Sequence, residues 1–92
     1  MSRPRFSLGH VVATPGAIAA LRDAEQRPDE FLRRHVAGDW GDVDARDRRE
    51  NETSVENGFR ILSVYETSRD VKFWVITEAD RSSTCLLLPE EY

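Results

Sequence analysis

The chain has 92 residues, 39% of them apolar and 33% charged, with a net charge of −4. That length is one domain, and that balance excludes a disordered segment. One cysteine excludes an internal disulfide and a zinc cage of several thiolates, and no apolar run approaches the about 20 residues that span a membrane.

Net negative charge disfavours general nucleic-acid binding, which needs a basic face. The charge is uneven, however: residues 1–38 carry six arginines against four acids. Arg3, Arg5, Arg33 and Arg34 are therefore the candidate basic patch. The start, Met1-Ser2-Arg3-Pro4-Arg5, is basic but no apolar signal core follows it, so the expected location is cytoplasmic. Twelve arginines stand against the single Lys72. A GC-rich genome accounts for that bias, and a need for bidentate guanidinium contacts is the sharper reading.

Phe6 to Ala13 alternates, Phe6, Leu8, His10 and Val12 on one side, and predicts a strand. Thr14-Pro15 reads as an N-cap followed by proline at the first helical position. A helix over 15–25 follows, with Ala17, Ile18, Leu21 and Ala24 as its apolar stripe. Pro28 starts a second helix, to about Ala37, with Asp29 and Glu30 in its first turn and Gly38 after its end. Asp42 or Asp44 caps a third, over 45–56, closed by Asn57-Gly58. This third helix has almost nothing apolar to bury.

From Phe59 the period changes to two. Strands are expected over 59–67, 71–78 and 84–88, joined by turns at 68–70 and 79–83. Val71, Phe73 and Val75 alternate with Lys72, Trp74 and Ile76, so the middle strand is central and covered on both faces. The expected fold is α+β: an antiparallel sheet of about four strands, a meander at its end, and two or three helices inserted after the first strand. The first strand then joins the meander at an edge.

The segment that stands out is Gly38-Asp39-Trp40-Gly41-Asp42 and the polar run behind it. From Asp39 to Glu56 there are seven acids and three arginines, a net of −4 that equals that of the whole chain. Asp39, Trp40, Asp42, Asp44, Arg46, Arg48, Arg49 and Asn51 are the candidate partner-binding residues. An aromatic beside arginines and acids is the mixture of an interface hot spot. Trp40 has a second reading, folded back onto the core. A cation at Asp39, Asp42 and Asp44 lacks the twelve-residue calcium-loop pattern, so no metal is expected.

Glu78, Asp80, Arg81 and Ser83 form a polar turn that is the alternative, enzymatic site. Its simpler reading is a turn bonded to its own backbone. Cys85 precedes three leucines and reads as a small buried hydrophobe. His10 shares a face with Phe6 and Leu8 as a packed or edge histidine. His35 lies near a helix C-terminus, where its charged form is favoured. There is no phosphate-cradling G-x-x-x-x-G-K-[ST] loop and no Ser-His-Asp ordering around a nucleophile elbow. No cofactor is expected.

Three stretches resemble a family of small bacterial proteins common on plasmids and other mobile elements: F-S-L-G-x-V-V-A-T-P-G-A (residues 6–17), E-F-L-x-R-H-x-x-G-D-W-G-D (residues 30–42) and I-T-E-A-D-R-S-S-T-x-x-L-L-P-E-E-Y (residues 76–92). Members are sometimes labelled type I restriction subunits. A methyltransferase would need a Gly-rich cofactor loop and far more chain. What the resemblance implies is a mobile-element setting, in which small acidic proteins block host defence. The leading expectation is thus a non-enzymatic protein-interaction module that modulates a nucleic-acid-handling partner. A nucleic-acid-binding accessory comes second and a small enzyme third. A homodimer through a free strand edge is a further expectation.

Overall fold

Local chemistry sets the first helix. The Thr14 hydroxyl accepts the Ala17 N–H at 3.2 Å, and Pro15 occupies the first turn of α1 (Pro15–Asp23). A computed structural model describes residues 3–92 and carries a four-stranded sheet beside three helices. Met1 and Ser2, part of the basic start, lie outside the described residues. After α1 come α2 (Pro28–Val36) and α3 (Ala45–Asn57), and β1 (His10–Ala13) precedes them all. The strands β2 (Ile61–Glu66), β3 (Lys72–Thr77) and β4 (Ser83–Leu87) complete the α+β fold, and a single 3-10 turn, Pro89–Glu91, follows them.

The sheet order is β1-β4-β3-β2. The last three strands form the expected antiparallel meander, and β3 is central. β1 sits at the edge, as expected, but runs parallel to β4, so the sheet is mixed and not wholly antiparallel. The long helical excursion lets the chain return in the same direction. β1 is also shorter than the alternation from Phe6 suggested. Gly9 turns the chain at φ 64°, and Phe6 leaves the strand line to stack on Trp40.

Helices α1 and α2 cover one face of the sheet. Ala17, Leu21, Phe31 and Leu32 pack on Tyr65, Phe73, Val75 and Leu86. The rings of Phe31 and Phe73 meet edge to face, their centroids 4.8 Å apart. Cross-strand register puts Val12, Cys85, Ile76 and Leu62 in one row of the opposite face, with Leu87, Trp74 and Val64 in the next. Tyr92 lies against Trp74 at 5.6 Å and accepts a bond from Arg60 at 3.0 Å, so the segment after β4 crosses that face. The Glu91 carboxylate anchors it by accepting the Gly16 and Leu88 N–H groups at 3.0 and 2.9 Å and the Thr14 hydroxyl. No helix among the described residues is long and apolar enough to cross a membrane.

At the end of the core nearest α3, polar groups replace apolar ones. His35 is wholly buried, which corrects the expectation of a charged helix-end histidine. Its Nδ1 meets Ser63 Oγ at 2.6 Å, and its Nε2 meets Thr77 Oγ1 at 2.9 Å. Thr77 Oγ1 is 2.7 Å from Thr84 Oγ1, which in turn reaches the Leu8 carbonyl at 2.7 Å. The carbonyl can only accept, and this orients the chain by elimination. Thr84 donates to Leu8, Thr77 to Thr84, and Nε2–H to Thr77. Nδ1 is then bare and accepts from Ser63. The imidazole is neutral: burial first, and the nearby Arg81 charge second, push its pKa down to about 4.

Candidate functional site

The Gly38–Asp42 segment is built by ordinary turn chemistry. Asp39 accepts the Gly41 N–H at 3.1 Å through its own carboxylate, an Asx turn that swings Trp40 inward. Gly41 sits at φ 75°, and a Cβ there would collide with the Val64 carbonyl. Glycine is therefore required twice, for its conformation and for the close approach. That approach lets the segment run alongside β2. The Trp40 carbonyl accepts the Val64 N–H at 3.0 Å, and the Asp42 N–H donates to the Val64 carbonyl at 2.7 Å. One residue pair of a parallel ladder thus closes the outer edge of β2.

Trp40 is only 3% exposed, which settles its two readings in favour of the core and removes it as an anchor for a partner. It is the floor of a small stack, with Phe6 at 6.2 Å on one side and the His35 ring edge-on at 6.0 Å. Its indole N–H donates to Glu52 at 3.0 Å, and Glu52 takes a bidentate grip from Arg5 at 2.8 and 2.9 Å. Arg5 holds the Glu52 carboxyl below its ordinary range. Arg34 does the same for Asp39, at 2.7 Å, and stacks its guanidinium over Tyr65 at 4.5 Å. Asn51 is also buried and is not a contact residue. Its side-chain amide donates to the Leu62 carbonyl at 2.7 Å and accepts the Leu62 N–H at 3.1 Å, continuing the closure of the β2 edge.

These bonds explain how a helix with nothing apolar to bury stays in place. α3 buries only Asn51 and Ser54. Asp44 caps its start by accepting the Asp47 N–H at 2.8 Å. Asn51 holds its middle to β2, and Glu52 ties it to Trp40 and Arg5. Arg81 secures its end, donating to the Ser54 and Phe59 carbonyls at 2.8 and 2.7 Å. The two turns from Ala45 to Glu50 are exposed throughout, and so are Asp42 and Asp44. The structure therefore brings Asp42, Asp44, Arg46, Arg48 and Arg49 to one solvent-facing end and removes Trp40 and Asn51 from it.

An aromatic does stand on this surface, and sequence reasoning assigned it elsewhere. Phe59, expected to begin a strand, is 56% exposed and lines a groove with Arg46, Arg49, Glu50 and Thr53. The signal available was Gly58, which ends the helix and leaves Phe59 in the connection to β2. The charge of the face also differs from the composition. Asp39 and Glu52 are paired with Arg34 and Arg5, so what remains outside is a mixture of signs, including Arg46 against Glu50 at 3.4 Å.

The same pairings take Arg5 and Arg34 out of the proposed basic patch. The alternative polar turn is likewise engaged in holding the fold. Glu78 pairs with Arg60 at 3.2 Å, and Asp80 accepts the Ser82 N–H at 2.9 Å. The Arg81 guanidinium is surrounded by carbonyls, and Ser83 lies in β4 beside His10. Cys85 is half-buried, and burial pushes its thiol pKa up, away from the thiolate a nucleophile needs. Among the described residues no three His, Cys, Asp or Glu side chains come together as a metal site would require. Comparison with family models, with curated proteins and with solved structures finds no match.

Proposed function

We propose that this protein is a non-enzymatic interaction module that presents the first two turns of α3, with Phe59 beside them, to a protein partner. One observation supports the reading above the others. A 13-residue helix, capped at its start, is tied to the fold by polar bonds at its middle and end while the residues from Ala45 to Glu50 stay exposed. A helix held only for its own stability is normally held by an apolar stripe. Rigid display lowers the entropy cost of docking, and Arg46, Arg49 and Phe59 supply the residue types on which interface energy concentrates. Interleaved signs favour a protein surface of mixed charge over a phosphate backbone, which would meet an acid beside every arginine. A mobile-element setting and a cytoplasmic location accord with the family resemblance. In that setting the partner would be a component of a nucleic-acid-handling complex that this protein restrains.

The test is affinity capture from the native host with one arm treated with nuclease, using the parent chain and an Arg46→Glu/Arg49→Glu/Phe59→Ala variant. All three substitutions lie on the surface, so circular dichroism should report an unchanged fold. The expected result is a protein retained after nuclease and weakened at least about tenfold by the variant. Equal capture by the variant, or capture that needs nucleic acid, would overturn the proposal.

A further inference from the structure

The two edges of this sheet are treated in opposite ways. Along β2, Trp40, Asp42 and Asn51 occupy the outward backbone groups of Leu62 and Val64. Along β1 no group among the described residues does. The His10 N–H bonds Ser82 and the Thr14 N–H bonds Leu86, so alternate residues turn toward β4, and the N–H and C=O groups of Val11 and Ala13 point outward. Open edges are usually protected by proline, lysine or an inward charge. β1, His-Val-Val-Ala, has none of these, and Val11 and Val12 are 41% and 43% exposed. Beside it runs a groove of about 510 Å³ between β1 and α2, floored by Leu8, Val11, Leu32 and Val36 and lipped by Asp29 and Arg33.

We propose that a second copy of this chain pairs with β1, antiparallel to it about a two-fold axis at Val12, so that two four-stranded sheets become one. Val11 of each copy would exchange backbone bonds with Ala13 of the other, satisfying all four outward pairs of groups. The Val11 side chains would close over the grooves. A two-fold interface must complement itself. This one does: Asp29 and Arg33, one helical turn apart on α2, would face Arg33 and Asp29 of the antiparallel second helix. The capped β2 edge leaves β1 as the edge a second copy has to offer, and the self-matching Asp29 and Arg33 favour that copy over an unrelated strand. Each subunit offers one open edge, so pairing stops at two instead of continuing into a fibre. This surface is separate from the exposed end of α3, and the inference does not depend on the proposed function.

Sedimentation velocity of the full chain over a concentration series tests it, with Val11→Lys as the first variant. Lysine there is solvent-exposed in the monomer and belongs to the residue types that guard natural edges, so the thermal melt of the single subunit should hold. A dimer for the parent chain, with a dissociation constant raised at least about tenfold by Val11→Lys, is expected. Asp29→Arg and Arg33→Asp should each weaken the dimer, and the two together should restore it. A parent chain that stays monomeric at every concentration would overturn the proposal. So would a dimer indifferent to Val11→Lys, or a double swap weaker than either single change.

Discussion

Three single residues carry consequences well beyond their size. His35 is neutral when buried, with a pKa of about 4, and would titrate near 6.5 in the unfolded chain. Between those values the unfolded state binds the extra proton, so stability is complete above pH 6.5 and drains away as pH falls toward 4. The loss should reach about 3 kcal/mol by urea unfolding at the two ends of that window, and a His35→Gln variant, weaker throughout, should lose the dependence. Trp40→Ala should cost about 3–5 kcal/mol of stability, a large share for a chain this small. Trp40 is thus a poor probe of binding, since a lost interaction would report a lost fold. Gly41→Ala should cost about 3 kcal/mol by chemical denaturation while leaving the Trp40 environment visible as a red-shifted, solvent-exposed emission. The sequence marked Trp40 as special without placing it, and read His35 as a charged helix-end histidine. Their burial depends on Phe6, Arg5, Ser63 and Thr77, which are distant in sequence and join no local pattern.

Element by element, legibility follows the range of the interactions. Thr14, Asp44 and the Asn57-Gly58 stop act within a few residues, and each performs the cap its chemistry implied. The meander was equally plain because period-two alternation is local. What could not be read was how α3 is held, since Asn51 bonds across to Leu62, Glu52 to Arg5, and Ser54 to Arg81. Asn51→Ala should therefore remove about 2 kcal/mol, the cost of leaving the Leu62 backbone pair without its protein partner. Hydrogen exchange should quicken at Leu62 and along α3 while β3 and β4 stay protected. Uniform loss of protection would mean that α3 and the sheet unfold together.

For the molecule as a whole, acid acts in two stages. His35 gives way first, over the window down to about pH 4. Asp39 and Glu52 follow, because carboxyls held below their ordinary range by Arg34 and Arg5 contribute above that range and lose their contribution as they protonate. Both pairs are substantially solvated, so this second stage should be shallower and should weaken with salt. Acid unfolding monitored by tryptophan emission should show the first stage insensitive to salt and the second sensitive to it. The parallel placement of β1 was not legible, because direction at a sheet edge is decided by where a long connection lands and not by any residue in the strand.

Because β1 pairs only with β4 within the sheet, the order of synthesis is the reverse of the order of need. The first strand to be made waits for the last, and Thr14 meets its Glu91 partner 77 residues later. Until Ser83 to Leu87 have been added, β1 has an unmet edge on both sides, and the hydroxyl chain that ends on the Leu8 carbonyl lacks Thr84. A nascent chain of this protein can form α1, α2 and the β2–β3 hairpin early, yet it commits to its native core only when the final strand slides between β1 and β3.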